Sequence, residues 1–381
     1  MIWKDRLKMI RAKKVRLYPT EEQEKKMWQS VGTARFIYNW TLSKQQANYK
    51  QGGKFISDND LRKEITQLKK TELSWLNEVS NNVAKQAVKD ACEAYKRFFK
   101  GLAERPRFKS KKKSKPSFYN DTSKLKVNAK SVLLEKIGWI KIKPNQIPTS
   151  PCRYTNPRIS YDGKYWYLSV GIEQEQPQVE LTDEVIGIDV GVKDLAICSN
   201  GMVFKNINKT RVIKRLEKRL RRLQRKVSRK YQLNKQGKEY VKTSNIIKLE
   251  KQIKLLHRKL ANIRVNHLHQ ATNKIVKTKP SKIVMETLNI KGMMKNKHLS
   301  KAIAQQCVYE FKRQIKYKCE WLGIVFVEAD KWYPSSKLCS RCGHKKEKLS
   351  LSERTYTCEC CGIVIDRDYN ASINLSKYLL A

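Results

Sequence analysis

Four cysteines and three carboxylates are the residues of this sequence best placed to do chemistry. Cys339-Ser-Arg-Cys342-Gly343 and Cys358-Glu-Cys-Cys361-Gly362 are two C-x-x-C-G turns, with fifteen residues between Cys342 and Cys358. Each such turn presents two thiolates from one tight loop, and a pair of them suits tetrahedral Zn²⁺. The glycines relieve crowding where backbone amides turn toward the sulfurs. Cys360 is a fifth thiol inside the second turn, too close to Cys358 for the usual loop, and is set aside as a bystander. A site with four protein ligands has no open position, so Zn²⁺ here would hold structure together and not catalyse.

The carboxylates are Asp189, Glu286 and Asp368. Asp189 stands in Val185-Ile-Gly-Ile-Asp189-Val-Gly-Val, and Glu286 ends Ile283-Val-Met-Glu286. An acid inside an apolar strand is costly unless it is paired or metal-bound. Asp368 lies in Asp366-Arg-Asp368-Tyr-Asn370, at the start of the last helix. Any one of these could be a strand-end or helix cap. Together, on a β-β-β…β-α-β…α order, they match the ribonuclease-H-like fold, where acids from the first strand, a later strand and the last helix converge. Such a cluster binds two Mg²⁺ or Mn²⁺ ions, which activate water and stabilise the leaving oxygen in phosphodiester hydrolysis.

The elements that must position these groups are legible from pattern and punctuation. Residues 10–18 read as a strand, and Thr20 followed by Gln23 is a capping-box start for a helix running from Glu21 through the 40s to Gly52-Gly53. From Asp58 to about Leu102 the period is helical, with Val83, Ala87, Ala91, Ala94 and Phe98 on one stripe. The run RPRFKSKKKSKPSF is too basic and proline-containing for a helix interior. Residues 124–175 hold short β-rich runs, including VLLEK, GWIKIK and YWYLSVGI. A β-barrel interrupted by a helical insert accounts for this order. QEQPQVELTD (174–183) is the clearest linker, and VIGIDVGVKDLAICSNGMVFKNIN after it reads as two or three strands. Ile213, Leu216, Leu220, Leu223 and Val227, then Ile246, Leu249, Ile253, Leu256, Leu260 and Ile263, are spaced 3-4-3-4 on two arms of an antiparallel coiled coil. Strand-like KIVMETL, a helix from about Ser300 to Leu322, strand-like IVFVEA, the cysteine-rich insert and a final helix complete the chain.

Composition names the partner. The chain has 381 residues and carries 82 Lys and Arg against 35 Asp and Glu, a net charge of +47. A surplus that large repels itself in the compact state unless a polyanion neutralises it, which points to nucleic acid, many phosphate contacts and strong salt dependence. No apolar run approaches the roughly 18 residues a spanning helix needs. The first 20 residues lack a signal peptide's apolar stretch and read as a basic nucleic-acid contact. The ten cysteines then read as an intracellular metal site plus scattered core thiols, not a disulfide framework.

GIDVGVKDLAICSNG, IVMETLNIKGMMKNKHLSKAI, FKRQIKYKCEWLG, the paired CxxCG turns and IDRDYNASINL resemble the TnpB family of transposon-encoded RNA-guided nucleases, relatives of the type V CRISPR effectors. VRLYPT…ARFIYNW and EAYKRFF extend the likeness to nearly the whole chain. The resemblance implies an α/β multidomain protein. Its parts would be a wedge β-barrel (1–20 and 105–182), a helical recognition insert (21–104), a split RuvC-like nuclease (183–335 and 363–381, with a basic hairpin at 208–270) and a zinc-binding insert (336–362). It implies Asp189, Glu286 and Asp368 as ligands for catalytic Mg²⁺ or Mn²⁺. Asp366 is the rival for the third position, and Asp368 is preferred because related nucleases use the acid two residues before the asparagine, here Asn370. Cys339, Cys342, Cys358 and Cys361 would hold structural Zn²⁺. The partners implied are a guide RNA and target double-stranded DNA, with neither a membrane nor a small-molecule substrate, in a cytoplasmic protein that joins the nucleoid when on DNA. Guide pairing reads the target, and protein reads a short adjacent motif.

The family places adjacent-motif contacts at the start of a helix, here Asn81, Asn82, Lys85 and Gln86. Asn and Gln suit the adenine edge, and Lys suits guanine or phosphate. An ordinary solvated helix turn accounts for each residue equally well. Tyr18, Trp40, Trp166 and Tyr167 could stack on unpaired bases, although core packing accounts for most of them. His267-Leu-His269 imitates the paired histidines of single-strand transposases. Those need a strand, and on a helical arm residues two apart point about 200° apart. Two other functions fit a ribonuclease-H-like fold: a nuclease-inactive RNA-guided regulator, expected to have lost an acid, and a DNA transposase, expected to carry a separate helix-turn-helix for transposon ends.

Overall fold

The computed structural model describes residues 8–149, 152–237, 239–350 and 352–378. The first seven residues of the expected N-terminal basic contact fall outside that range. The chain divides into two compact units at Glu175/Gln176. Among the described residues no helix is long and apolar enough to cross a membrane.

The first unit opens with strand β1 (Lys8–Tyr18) and helix α1 (Glu21–Lys50). The capping box forms: Gln23 N–H donates to Thr20 Oγ1 at 3.3 Å, and Thr20 N–H donates to Gln23 Oε1 at 3.1 Å. The helical stretch expected over 58–102 is not continuous. It divides into α2 (Asp58–Leu68), a 3₁₀ turn (Ser74–Glu78) and α3 (Asn81–Phe99). Its apolar face is also rotated from the expected stripe. Val83, Ala84, Ala87, Val88, Ala91, Cys92 and Tyr95 are buried, whereas Phe98 is exposed.

Strands β2 (Ser117–Tyr119), β3 (Lys126–Val127), β4 (Ser131–Leu134), β5 (Gly138–Ile142), β6 (Tyr154–Tyr161) and β7 (Trp166–Glu175) join β1 in one sheet. Its order is β2-β6-β7-β1-β5-β4-β3, and all its pairings are antiparallel. The expected closed barrel does not form among the described residues. β2 and β3 stand at opposite edges, with three and two residues respectively, too short to complete a ring of hydrogen bonds. The inward faces of β1, β5, β6 and β7 bury Val15, Leu17, Ile140, Ile159, Leu168 and Val170 against Met27 and Val31 of α1.

The second unit is an α/β structure. Strands β8 (Thr182–Asp189), β9 (Asp194–Cys198) and β10 (Val203–Lys205) run antiparallel and are followed by α4 (Arg211–Leu233). The two short strands β11 (Lys235–Gln236) and β12 (Glu239–Tyr240) make the hairpin tip, and α5 (Ser244–Val276) returns. Ile213, Leu216, Leu220, Leu256 and Leu260 fill the seam between the arms, as the 3-4 spacing required. β13 (Pro280–Met285), α6 (Ile290–Met293), α7 (Ser300–Gln306), α8 (Val308–Leu322) and β14 (Val325–Glu328) follow. The helix expected over 300–322 is broken because Cys307 takes a left-handed conformation, with φ of 54°. β15 (Thr355–Thr357) and β16 (Val364–Asp366) form a small hairpin before α9 (Arg367–Ser376). The main sheet has the order β10-β9-β8-β13-β14, with β8, β13 and β14 parallel.

Candidate active site and zinc centre

The acids meet at the carboxyl edge of the parallel strands. Ile186 and Ile188 anchor β8, and Ile283, Val284 and Met285 anchor β13, so the first acid after each apolar run emerges at the rim. The register pairs Ile188 with Met285, which sets Glu286 beside Asp189. Val190 N–H donates to Glu286 Oε1 at 3.2 Å and fixes that side chain. Asp368 arrives from the first turn of α9. Burial, then the charges of Glu286 and Asp368, raise the Asp189 carboxyl well above the usual range, while Arg367 opposes the shift. Burial also pushes Glu286 up to about 7, with Asp368 adding to it and the Val190 amide working against it. Two buried carboxyls with raised proton affinity, facing a third acid at a rim, are a donor set suited to a divalent cation. Asp366 has other work: its Oδ1 caps α9 by accepting from Asp368 N–H and Tyr369 N–H, both at 3.0 Å. Arg354 approaches Asp368 at 3.9 Å.

Gly187 lets Asp368 reach the cluster. A Cβ at this position would run into the backbone of α9, at the Ser372 carbonyl and the Ser376 amide. The helix therefore lies directly on β8, and only glycine permits that approach. Gly187→Ala is expected to cost about 3 kcal/mol, or roughly 10 °C in melting temperature for a unit of this size. DNA cleavage should fall with it, because the start of α9 is displaced. A variant that melts and cuts like the parent would show that close approach does not place Asp368.

The segment after Asp189 is held by a polar network. Gln306, 3% exposed, donates through Nε2 to Gly191 O at 2.9 Å. Asn208 Nδ2 donates to Gln305 O at 3.1 Å and accepts, at Oδ1, from Arg264 Nε at 2.7 Å. Glu217 Oε1 accepts from both Arg264 (2.8 Å) and Gln305 (2.7 Å). The root of the basic hairpin is thereby tied to the segment that follows the first acid.

The cysteine site is the tighter cluster. The sulfurs of Cys339, Cys342, Cys358 and Cys361 all lie within 4.8 Å of one another, the one such group of metal-donor side chains among the described residues. Cys339 and Cys361 sulfurs are 3.6 Å apart, as are those of Cys342 and Cys358. A tetrahedron with Zn–S bonds of about 2.3 Å has edges of about 3.8 Å, so the four thiols fit Zn²⁺. The two turns are alike: Gly343 and Gly362 take φ of 77° and 69°, and their amides donate to Cys339 O and Cys358 O. Cys361 N–H and Cys360 N–H draw the Cys358 thiol down to about 6. Cys360 is exposed and stands outside the cluster. Asn370 and Asn374 of α9 clasp this insert: Asn370 accepts from Ser340 N–H (2.9 Å) and donates to Leu338 O (2.7 Å), and Asn374 donates to Ser335 O (2.8 Å) and Leu338 O (2.7 Å).

In the first unit, Asn81, Asn82 and Lys85 line a cavity of about 500 Å³ together with Arg62, Lys69 and Lys70. Lys69 donates to Asn81, and Asn82 Nδ2 donates to Glu135 at 3.1 Å. Gln86 is turned to Asp90, at 2.9 Å, and does not line the cavity. Trp166 is core and Trp40 packs on the helical cluster. Tyr18 is exposed beside Arg16, and Tyr167 carries Lys14 over its ring at 4.3 Å. His267 and His269 lie within α5, and His267 Nε2 contacts Lys205 O at 3.0 Å. Gly187, Gln306 and Asn374 are absent from the sequence-based expectations, and Asn370 enters them only as a marker for Asp368, not as a clasp on the insert. Of the first three, only Gly187 left a trace there, as a small residue two before an acid in an apolar strand.

Known proteins match along the whole chain. Residues 168–297 match a family described as "Probable transposase", residues 309–375 a "Cas12f1-like, TNB domain" and residues 9–54 a "Helix-turn-helix domain". The last span is here a strand and one 30-residue helix, not two helices joined by a turn. InsQ of Escherichia coli K12, provisionally named an RNA-guided DNA endonuclease, is 30% identical over 97% of this chain and 92% of its own. A protein of Streptomyces pristinaespiralis under the same provisional name is 31% identical over 96% of this chain and 88% of its own. Among solved structures, the Cas12f1 chain of a complex with guide RNA and target DNA superposes with a TM-score of 0.61 at 14% identity, covering 98% of this chain and 99% of that one. That likeness is one of fold, with the second unit an α/β structure in this chain. Matched end to end by such relatives, and by family models on both its strand-and-hairpin part and its cysteine-rich part, this chain belongs to the TnpB family of insertion-sequence proteins.

Proposed function

We propose that this protein is an RNA-guided DNA endonuclease: it binds a guide RNA from the transposon end, recognises a short motif beside the target and hydrolyses DNA phosphodiesters. The observation that carries the reading is the convergence of Asp189, Glu286 and Asp368 at one strand edge of a chain with a net charge of +47. Asp189, Glu286 and Asp368 would hold Mg²⁺ or Mn²⁺, which supplies water activation and stabilisation of the leaving oxygen. Val190 N–H orients Glu286, Asp366 anchors the helix that delivers Asp368, and Arg367 offsets part of the local negative charge. Cys339, Cys342, Cys358 and Cys361 hold structural Zn²⁺. Asn81, Asn82, Lys85 and Gln86 are the proposed contacts to the adjacent motif. For Gln86 this requires release from Asp90.

The test is to express the protein with its flanking genomic DNA, purify it and sequence what nucleic acid accompanies it. A single protected RNA ending in variable sequence from beside the element is expected. Its 3′ segment then defines a duplex for a Mg²⁺-dependent cleavage assay. A random pool of cellular RNA or DNA would overturn the guided reading.

A further inference from the structure

Trp332 is the most exposed tryptophan among the described residues, at 80%. A lone exposed apolar side chain is ordinary on a protein surface. What distinguishes this one is where it stands and how firmly its turn is held. β14 lies parallel to β13 with Glu328 opposite Met285, so Ala329 faces Glu286 across about 4.8 Å. Three further residues add at most about 11 Å, which places the Trp332 Cα within about 16 Å of the Glu286 Cα.

The turn is anchored on both sides of the indole. Ala329 N–H donates to Met285 O at 2.9 Å, and Thr287 Oγ1 donates to Ala329 O at 2.7 Å. Trp332 N–H donates to Asp330 Oδ1 at 2.7 Å, and Asp330 N–H donates to the Tyr378 hydroxyl at 3.1 Å. Tyr333 packs on Tyr378 with centroids 4.8 Å apart and donates to Asn374 O at 3.1 Å. A rigid support thus holds a large aromatic in solvent at the same strand edge from which Glu286 emerges. Lys331 Nζ sits over the indole at 4.6 Å, putting a positive charge beside the ring.

We propose that Trp332 is a binding residue for the DNA strand being cut, stacking on an unpaired base while Lys331 meets an adjacent phosphate. This rests on the endonuclease reading above. At about 3.4 Å per stacked nucleotide, the base lies within about five nucleotides of the scissile phosphate. The DNA strand is the occupant because its phosphate must reach these acids. Base–aromatic stacking tolerates any sequence, as a guided enzyme requires.

The cut position is first mapped with wild-type protein on a guided target. 2-Aminopurine is then walked along that strand in guided complexes of Asp189→Ala, with Trp332, Trp332→Ala or Trp332→Phe. Complex formation is checked by mobility shift. The expected result is quenching at one position within about five nucleotides of the cut. That quenching should be lost with Trp332→Ala and retained with Trp332→Phe. In the active protein, Trp332→Ala is expected to slow single-turnover cutting about tenfold, and Trp332→Phe to restore most of it. Fluorescence independent of residue 332 at every position overturns the proposal and leaves the endonuclease reading standing. Quenching confined to 2-aminopurine placed in the guide RNA also overturns it. Absence of guided cutting by the wild type overturns both.

Discussion

Replacing Asp189 by alanine lowers DNA cleavage by at least about 10³-fold, the loss expected when several kcal/mol of charge stabilisation leave the transition state. Guided DNA binding survives, because the basic surfaces that hold nucleic acid do not depend on this carboxyl. The variant also melts no lower than the parent. In the absence of a cation, burial and the charges of Glu286 and Asp368 raise the proton affinity of the Asp189 carboxyl, so at neutral pH its ionised form costs folding free energy. Removing one charge relieves that cost. Cleavage, mobility shift and thermal unfolding on the same preparation separate loss of chemistry from loss of fold. Cleavage above about a hundredth of wild type would show that Asp189 is not a metal ligand, a tenfold margin on the expected loss.

Changing Cys339 or Cys358 to serine takes bound zinc from one per chain to none and removes cleavage, although neither sulfur is part of the acid cluster. Structural zinc contributes about 10–16 kcal/mol of apparent binding free energy, and that energy is folding energy for the segment that provides the ligands. Without it the insert loses its turns at Gly343 and Gly362. Asn370 and Asn374 then lose the carbonyls of Leu338 and Ser335 that they clasp. Those asparagines lie on α9, the helix that carries Asp368. Zinc content by elemental analysis and hydrogen exchange over residues 336–376 should change together with activity. If the insert loses protection and cleavage persists, the clasp does not position the acid.

Much of this was legible because charge and capping are local signals. An acid ending an apolar strand stands out against its neighbours, so Asp189 and Glu286 could be singled out, and Thr20 with Gln23 marked a helix start that forms. The breaks were harder to see. No glycine or proline interrupts residues 58–80, and the 3₁₀ turn at Ser74–Glu78 is set by tertiary packing. Cys307 is an unusual residue for the left-handed conformation that divides α7 from α8. The closed barrel failed because alternation identifies strands and a buried face but not whether the two edge strands meet. The clasp made by Asn370 and Asn374 escaped because bonds from an amide side chain to distant backbone leave no periodic trace. Trp332 escaped because exposure of a single aromatic residue is decided by the turn that carries it.

Helix α5 belongs to two hydrophobic clusters at once. Its outer part, with Leu256 and Leu260, closes the hairpin seam, and its inner part, with Leu268, Ala271 and Ile275, is built into the nuclease core. Its 33 unbroken residues make a rod about 50 Å long. Arg264, tied to Glu217 and Asn208, stands between the two parts as a fulcrum. From there the outer end extends about 30 Å and the inner end about 18 Å. A 5 Å swing of the tip about that fulcrum therefore arrives in the core as a displacement of about 3 Å, because a straight rod has no joint in which to lose it. The hairpin is a lever whose short arm carries Thr272, hydrogen-bonded to Gln314 and Lys318 of α8.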